Sequence, residues 1–406
     1  MNYAETLEYI HSIPKFVRPL GNKDLQGVLE KFQNPQDELK FIHIAGTNGK
    51  GSTASMLSEV LIEAGFKTGL FTSPFIEVFN ERIRINGNNI ENDDLCDVSD
   101  RVRSVICEND FKLSEFAFIS AVAFVYFKEQ GCDIVVLETG MGGQLDATNI
   151  IENPVVSVIT SIGYDHMQYL GDTIEEIAKE KCGIIKKNRP VVSQKNEEVR
   201  VVIEEAADKM HSSLCFVDIS KKTETGFLYK GKEYPLSLKG DYQAQNGATV
   251  VETVLVLREN SFKISDENLE NGLLKAKWPA RFEFVRDNVV IDGGHNSDGI
   301  RALLKSLEDY KFGVVIAMMC DKSTDECMKM IADRAEFVIT TQIPMPRCEM
   351  AKKLAQGIED AVIIPEFGEA IDEGIKKIGK DEILCVCGSL YFAAEARKYI
   401  AKTPNI

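Results

Sequence analysis

The chain has 406 residues, of which 44% are hydrophobic, and a formal net charge of −16. This length allows two or three domains with ordinary hydrophobic cores. The negative charge would repel a phosphate backbone, which argues against a nucleic-acid partner. The apolar run at residues 116–127 is too short to span a bilayer, and acids stand where a signal peptide would carry basic residues. A cytoplasmic protein without a membrane partner is therefore expected.

A glycine-rich stretch is the first feature of the sequence that indicates a binding site. Two helices, at residues 3–12 and 24–32, and a strand at residues 41–44 are predicted before it, and an amphipathic helical segment at residues 53–64 after it. Glycines let backbone N–H groups curl around an oxyanion, and a lysine adds a mobile charge. We interpret the stretch as a triphosphate cradle made of Gly46, Thr47, Asn48, Gly49, Lys50, Gly51 and Ser52.

The cradle differs from a standard P-loop, in which a Ser or Thr directly after the lysine holds Mg²⁺. Gly51 occupies that position here, so metal ligands are expected at other strand ends. Strands predicted at residues 67–71, 132–138 and 155–160 lead to Ser73, Glu138 and His166. A carboxylate such as Glu138 is a natural Mg²⁺ ligand. The alternatives are a turn residue for Ser73, a helix cap for Glu138, and a structural or solvated histidine for His166.

A predicted helix after residue 173 carries a lysine on its apolar side. Thr173 and Glu176 form a capping box at its start. At 100° per residue, Lys181 falls on the same stripe as Ile174, Ile177 and other apolar residues. A partly buried ammonium must be paired, neutralised or modified, which makes Lys181 a functional candidate. The alternative is that its head group reaches solvent along its own stem.

The remainder of the chain indicates a second domain. A hairpin at residues 226–238 and a long helix at residues 242–258 come before a break at residues 278–283, which we interpret as an interdomain hinge. Beyond it, strands alternate with helices in a smaller α/β domain of Rossmann-like type. These strands are predicted at residues 289–291, 314–318, 337–340, 362–364 and 383–386.

Taken together, the motifs closely resemble those of the folylpolyglutamate synthase and dihydrofolate synthase family, a branch of the Mur ligases. The resemblance covers nearly the whole chain. It rests on IHIAGTNGKGST (42–53), TSP (72–74), ETGMGGQLDATN (138–149), DHMQYLGDT (165–173), EKCGI (180–184), PARFE (279–283), DGGHN (292–296) and GSLYF (388–392).

This resemblance implies a P-loop-containing Mur-ligase central domain at residues 1–280, with a pterin-binding N-terminal segment, and a smaller Rossmann-like α/β domain at residues 281–406. It implies that the cradle binds ATP, that Lys50, Lys181 and His166 are catalytic, and that Lys181 is carbamylated. Ser73, Glu138 and His166 would hold Mg²⁺. Further ATP contacts are implied for Asn246, Arg281, Asp292 and His295, and pterin contacts for Pro19, Leu20, Gly21, Phe116, Leu145, Asp146 and Ala147.

The activity implied by the resemblance is an ATP-dependent amide ligase that adds L-glutamate to tetrahydrofolate through an acyl phosphate. Dihydropteroate is the second candidate acceptor, and a monomer is expected. The chain departs from the family pattern at Ala117, Gln144, Tyr242 and residues 294–297, and several of these positions lie where folate would bind. Two alternatives remain at this stage: a Mur-type ligase with another carboxylate acceptor, and a P-loop regulator that hydrolyses nucleotides.

Overall fold

Residues 1–15, 21–320 and 324–403 are described in a computed structural model of the protein. The chain forms two compact units. The first contains Met1–Ser237 and Gln245–Ala276, and the second contains Leu238–Ala244 and Lys277–Ile406. The domain boundary at residue 280 stays a prediction, since these units divide at Ala276 and include a short earlier segment in the second unit.

A mostly parallel sheet forms the centre of the first unit. Its strands are β1 (Phe41–Ala45), β2 (Thr68–Phe71), β3 (Ile83–Ile85), β4 (Asn88–Asn89), β5 (Ile134–Glu138), β6 (Val156–Ile159), β7 (Val191–Gln194) and β8 (Leu214–Val217). Their order is β4-β3-β2-β5-β1-β6-β7-β8, and only the pairings of β3 are antiparallel among these strands. Because β1 lies between β5 and β6, the carboxyl ends of all three meet at one edge.

Helices precede, separate and follow these strands along the chain. They are α1 (Tyr3–Ser12), α2 (Lys23–Lys31), α3 (Pro35–Glu38), α4 (Lys50–Glu63), α5 (Asn92–Asn109), α6 (Glu115–Glu129), α7 (Met167–Leu170), α8 (Ile174–Cys182), α9 (Arg200–Lys209), α10 (Tyr242–Glu259) and α11 (Asp266–Lys275), with 3₁₀ helices at Phe79–Arg82 and Ala147–Ile150. The predicted capping box of Thr173 and Glu176 is present at the start of α8. No helix in the described ranges is both long and apolar enough to cross a lipid bilayer.

Helix α4 differs from the sequence prediction in two ways. It begins at Lys50 and not at residue 53, so the lysine of the glycine-rich stretch belongs to its first turn. It is not amphipathic either, because nearly every residue from Ser52 to Leu61 is buried. The physical reason is that α11 packs on α4, where Gly272 lies against the backbone of Val60. Both faces of α4 are therefore covered.

The predicted hairpin is confirmed. Strands β10 (Gly226–Tyr229) and β11 (Lys232–Pro235) pair antiparallel and turn at Lys230 and Gly231, while β9 (Lys221–Lys222) pairs with the other side of β10. The hairpin is anchored through Glu252 of α10, which accepts a 2.6 Å hydrogen bond from the Tyr229 hydroxyl.

The second unit has the predicted strand–helix alternation, with one more strand than predicted. Its sheet has the order β12-β13-β17-β14-β15-β16, in which only β12 runs antiparallel. The strands are β12 (Glu283–Arg286), β13 (Val289–Ile291), β14 (Lys311–Ile316), β15 (Val338–Gln342), β16 (Val362–Glu366) and β17 (Glu382–Cys387). The helices are α12 (Ser297–Ser306), α13 (Thr324–Ala332), α14 (Ala351–Leu354), α15 (Phe367–Lys377) and α16 (Leu390–Lys402).

Candidate active site

The turn after β1 requires glycine at two positions. Gly46 has a φ of +153°, and a Cβ atom there would lie 1.9 Å from Oγ1 of Thr160. Gly49 has a φ of +88°, and its Cβ would lie 2.5 Å from Oδ1 of Asn246. Any other residue would add both backbone strain and a clash at each position. This close approach also shows that Asn246, at the start of α10, lies against the glycine-rich loop.

Residues that follow β6 hold the loop in place. The N–H of Thr47 donates to the carbonyl of Ser161 at 2.7 Å, and its hydroxyl donates to the carbonyl of Gly163 at 2.9 Å. The Thr160 hydroxyl donates to the carbonyl of Asn48 at 2.8 Å. This contribution was not predicted from the sequence, although the two hydroxyl residues Thr160 and Ser161 at the end of a buried strand were a visible signal. The loop is thus shaped by contacts between two neighbouring strand ends.

The first turn of α4 is suited to bind an anion. The helix begins directly after Gly49, and no side chain caps its N-terminus. Backbone N–H groups at such a terminus carry partial positive charge, and the helix dipole adds to it. Ser52 lies in this turn and is buried. The geometry therefore fits phosphate oxygens, as the glycine pattern predicted.

Two lysines converge on the loop. Nζ of Lys50 donates to the carbonyls of Gly46 at 3.0 Å and Thr47 at 3.2 Å. Nζ of Lys181 donates to the same Gly46 carbonyl at 2.9 Å, although 135 residues separate them. Lys181 is only 3% exposed, so the prediction that it faces the apolar side of α8 is confirmed. The alternative, in which its head group reaches solvent, is wrong.

Burial changes the protonation of Lys181. Desolvation, followed by the nearby charge of Lys50, lowers the pKa of Lys181 from 10.5 to about 7. Asp165, Asp146 and Glu180 act in the opposite direction but do not compensate. A substantial fraction of this amine is therefore neutral, and nucleophilic, at neutral pH.

The predicted metal ligands Ser73 and Glu138 lie together. Glu138 ends β5 and is 3% exposed. Its Oε2 accepts a 3.1 Å hydrogen bond from the backbone N–H of Ser73, which follows the neighbouring strand β2. No group of three or more His, Cys, Asp or Glu side chains in the described ranges forms a complete cation site. This pair still fits Mg²⁺, which commonly uses one or two protein oxygens together with phosphates and water.

The third predicted ligand, His166, lies on the segment after β6. It precedes α7 with a left-handed φ of +51°, and its backbone N–H donates to Oδ1 of Asp165 at 2.8 Å. Its Nε2 is 3.8 Å from Oδ2 of the same carboxylate. The Asp165 carboxylate thus lies beside the ring, and no role was predicted for it from the sequence. The part of His166 in metal binding stays a prediction.

The segments predicted to bind the pterin meet in the structure where they are described. Pro19 and Leu20 lie outside the described residues. Next to Gly21, the side-chain amide of Asn22 donates to the backbone carbonyl of Asp146 at 2.9 Å. The N-terminal segment is thus joined to the loop at residues 140–149.

An aromatic residue supports the other side of that loop. The ring of Phe116 lies so close to Gly140 that a Cβ there would be 2.7 Å away. Leu145 is 50% exposed, whereas Ala147 is buried at the start of the 3₁₀ helix Ala147–Ile150. The side chain of Leu145 is therefore exposed to solvent, while the backbone of the loop is packed against Phe116.

The side chain of Asp146 points into the protein and not towards solvent. It is 6% exposed, and its carboxylate accepts hydrogen bonds from the N–H groups of Met141 and Thr148 and from the Thr148 hydroxyl. The same hydroxyl lies 2.9 Å from Nε2 of His43 in β1. No role was predicted for His43 or Thr148 from the sequence, although an ionisable residue inside an apolar strand was a visible signal for His43.

In the second unit, Asp292 organises the predicted nucleotide contacts. Its carboxylate accepts hydrogen bonds from the Tyr242 hydroxyl at 2.7 Å, the Phe282 N–H at 2.8 Å and the Gly294 N–H at 2.7 Å. Burial and this carboxylate raise the pKa of Tyr242 well above 10. The tyrosine hydroxyl therefore stays protonated and remains a donor.

The other two residues predicted for the second unit flank this cluster. Arg281 lies between Ala280 and Phe282, both of which have left-handed φ angles, and its charge acts on Tyr242. Nδ1 of His295 is 2.9 Å from the carbonyl of Gly293. Arg281 and His295 thus belong to the same turn region as Asp292, and their roles stay predictions.

Comparison with known proteins gives the family. The model for the Mur ligase middle domain matches residues 44–254, and that for the Mur ligase glutamate ligase domain matches residues 280–390. The chain is 34% identical over 427 residues to the dihydrofolate synthase/folylpolyglutamate synthase of Bacillus subtilis, covering 98% of each sequence. The chain belongs to the folylpolyglutamate/dihydrofolate synthase family of Mur ligases.

Solved structures of this synthase family have the same fold. E. coli FolC in complex with DHPP and ADP matches with a TM-score of 0.91 at 25% identity, covering 100% of this chain and 99% of that one. A bifunctional folylpolyglutamate synthase/dihydrofolate synthase with Mn, AMPPNP and L-glutamate bound matches with a TM-score of 0.87 at 26% identity, covering 100% and 98%. The predicted fold class, with a Mur-ligase-type α/β domain and a Rossmann-like C-terminal domain, and the predicted ligase class are confirmed.

Proposed function

We propose that this protein is an ATP-dependent ligase that joins L-glutamate to the carboxylate of a folate. The observation that carries the proposal is the glycine-rich loop with Lys50, together with the buried Glu138 and its partner Ser73, at the carboxyl ends of neighbouring strands. The Bacillus subtilis relative is named for two reactions of this kind, folylpolyglutamate synthesis and dihydrofolate synthesis. Tetrahydrofolate and dihydropteroate are therefore the two acceptors to compare.

The reaction has two steps. An acceptor carboxylate oxygen attacks the γ-phosphorus of ATP, the bond from that phosphorus to the bridging oxygen breaks, and ADP leaves. The amine of glutamate then attacks the acyl carbon, phosphate leaves, and the amine nitrogen loses a proton. Lys50 and the N–H groups at the start of α4 bind the phosphates and stabilise the charge that develops during the transfer.

Glu138 and Ser73 are the proposed oxygen ligands for Mg²⁺, with His166 as a third ligand. Bound there with ATP, the ion would neutralise phosphate charge. The buried carboxylate, with one oxygen already oriented by the Ser73 N–H, is what supports this assignment. The other contacts of the metal would be phosphate oxygens and water.

We also propose that Lys181 is carbamylated. A neutral lysine amine attacks the carbon of CO₂, and the nitrogen loses a proton to give a carbamate anion. The pKa of about 7 supplies the neutral amine at physiological pH. The product replaces a buried cation near Lys50 with an anion, which removes the repulsion between two ammonium groups and provides an oxygen-rich group for the metal site.

The remaining assignments concern nucleotide and acceptor binding. Asn246 lies against Gly49. Hydrogen bonds within the second unit hold Asp292 and His295, and Arg281 lies next to Phe282, whose N–H donates to Asp292. We assign these residues to ATP binding. Gly21, Phe116 and the loop containing Leu145, Asp146 and Ala147 are assigned to the pterin, together with Pro19 and Leu20.

The deciding experiment incubates the purified protein with ATP, Mg²⁺ and L-glutamate, and with either 7,8-dihydropteroate or tetrahydrofolate, and follows product mass. A mass gain of one glutamyl residue, coupled to ADP release that needs both the acceptor and glutamate, is expected. The Lys50→Ala variant serves as the inactive control. ATP hydrolysis that ignores pterin and glutamate would contradict the proposal and favour a nucleotide-hydrolysing regulator. ADP release and amide formation only with a different carboxylate would favour another Mur-type ligase.

A further inference from the structure

His43 lies in the middle of β1 and is fully buried. Its Nε2 is 2.9 Å from Oγ1 of Thr148, across 105 residues of sequence. The Thr148 hydroxyl is 2.6 Å from Oδ1 of Asp146 and donates its proton to that carboxylate. Since a hydroxyl has one proton to donate, Nε2 of His43 must carry the hydrogen of the other bond. The three side chains form a directed relay: His43 donates to Thr148, and Thr148 donates to Asp146.

Asp146 gathers the loop that follows β5. Its carboxylate accepts from the Met141 N–H at 2.8 Å and from the Thr148 N–H at 3.0 Å. The loop backbone therefore curls around one buried carboxylate. The relay connects this carboxylate to β1, the strand that leads directly into the glycine-rich loop at Gly46.

The imidazole does not carry charge in this relay. Desolvation, with a smaller effect of Lys186, lowers the pKa of His43 to about 3. Nδ1 of His43 is buried without a hydrogen-bond partner in the described residues. A neutral ring held by a single donated bond orients its partner and does not shuttle protons.

We propose that His43 and Thr148 are positioning residues for the loop at residues 140–147, which sets the affinity for the pterin acceptor. The inference rests on the proposed function, which assigns that loop to the acceptor. Neither side chain touches the substrate. They act by holding the carboxylate of Asp146, which in turn shapes the backbone that Leu145 and Ala147 present.

The test compares two pairs of variants. Thr148→Val keeps the shape of threonine but removes the hydroxyl, while Thr148→Ser keeps the hydroxyl. His43→Asn cannot reach Thr148 from the Nε2 position, while the longer amide of His43→Gln can. Ser157→Ala is the matched control, because Ser157 is buried beside His43 on β6 but bonds the carbonyl of Ile184 instead.

Three quantities are measured: the KM for the acceptor, the KM for ATP, and hydrogen exchange at the Met141 and Thr148 amides. We expect Thr148→Val and His43→Asn to raise the acceptor KM about tenfold, in line with the loss of one buried hydrogen bond, and to leave the KM for ATP within about twofold. Both amides should exchange faster. Thr148→Ser and His43→Gln should recover most of the acceptor affinity, and Ser157→Ala should match the wild type.

The possible failures are separable. An active wild type whose Thr148→Val and His43→Asn variants lose thermal stability but keep their acceptor KM would overturn the positioning role. A wild type that glutamylates no pterin would refute the proposed function. In that case, unchanged amide exchange in Thr148→Val would also refute the relay, and faster exchange confined to the loop would support it.

Discussion

Lys50 and Lys181 donate hydrogen bonds to one shared acceptor, the carbonyl oxygen of Gly46. Two ammonium groups at one carbonyl repel each other, and Lys181 is the buried member of the pair. Its pKa of about 7 is the result, with desolvation as the larger cause. Because this pKa lies near neutral pH, the protonation of Lys181 can be followed by experiments in an ordinary pH range.

The first prediction concerns stability and pH. The unfolded chain keeps Lys181 protonated up to its ordinary pKa of 10.5, whereas the folded chain releases the proton at about pH 7. Between these values the unfolded state binds more protons, so this group makes the free energy of unfolding rise with pH, by at most about 1.4 kcal/mol per pH unit. Urea unfolding at pH 7, 8 and 9 in CO₂-free buffer should show this rise for the wild type relative to Lys181→Met. Lys179→Met, on the exposed side of α8, should follow the wild type. If the difference in the free energy of unfolding between wild type and Lys181→Met were the same at all three pH values, the lowered pKa of Lys181 would be wrong.

The second prediction concerns the carbamate. Lys181→Ala should lose most ligase activity, because the anion at the end of the side chain is lost. Short carboxylic acids such as acetate or formate should restore part of it, since they place a carboxylate in the space left by the side chain. Chloride at equal ionic strength is the control and should have no effect. An intact fold with no recovery at any carboxylate concentration would count against the modification.

The third prediction separates charge from shape at the proposed phosphate and metal groups. Lys50→Ala and Glu138→Ala should each lower kcat/KM by about a hundredfold or more, since the first removes a cation that stabilises phosphoryl transfer and the second removes a proposed ligand of Mg²⁺. Glu138→Gln keeps an oxygen that can accept from the Ser73 N–H but has no charge, and it should be nearly as inactive. Steady-state kinetics with ATP varied make the comparison, with the exposed Glu175→Gln as control. Full activity in Glu138→Gln would show that the carboxylate has only a structural role.

The fourth prediction uses two glycines at the ends of α4. Gly49 and Gly65 have nearly equal φ angles, +88° and +86°, but only Gly49 has a neighbour, Asn246, within reach of an added Cβ. Gly65→Ala should cost about 1 kcal/mol in the free energy of unfolding, from backbone strain alone. Gly49→Ala should cost more and should also raise the KM for ATP. Equal costs with unchanged nucleotide affinity would show that the fit against Asn246 is unimportant.

Much of the local structure could be predicted because its causes are local. The capping box at Thr173, the hairpin turn at Lys230 and the buried direction of Lys181 follow from spacing within a few residues. The amphipathic prediction for α4 failed because periodicity describes one helix, whereas the second covered face depends on α11, about two hundred residues later.

Several residues of the candidate site could be predicted from the sequence, but the contacts between them could not. Glycine spacing and polar groups after buried strands were sufficient to select Lys50, Ser73 and Glu138. Three sets of contacts were not predicted. They are the hydrogen bonds that Thr160 and Ser161 make with the glycine-rich loop, the hydrogen bond from Lys181 to the Gly46 carbonyl, and the contact of His43 with Thr148. Each contact joins segments that are far apart in the sequence, and their proximity depends on the order of the strands in the sheet.

The amino-acid sequence by itself therefore determined most of the elements, the family and the chemical types of the candidate groups, because periodicity, caps and motifs act over short distances along the chain. Only the tertiary structure decided how those groups act on one another. The order β5-β1-β6 brings Glu138, the glycine-rich loop and the segment after β6 to one edge. Burial in the packed fold lowers the pKa of Lys181 and keeps His43 neutral. Burial and proximity across more than a hundred residues are properties of the packed fold.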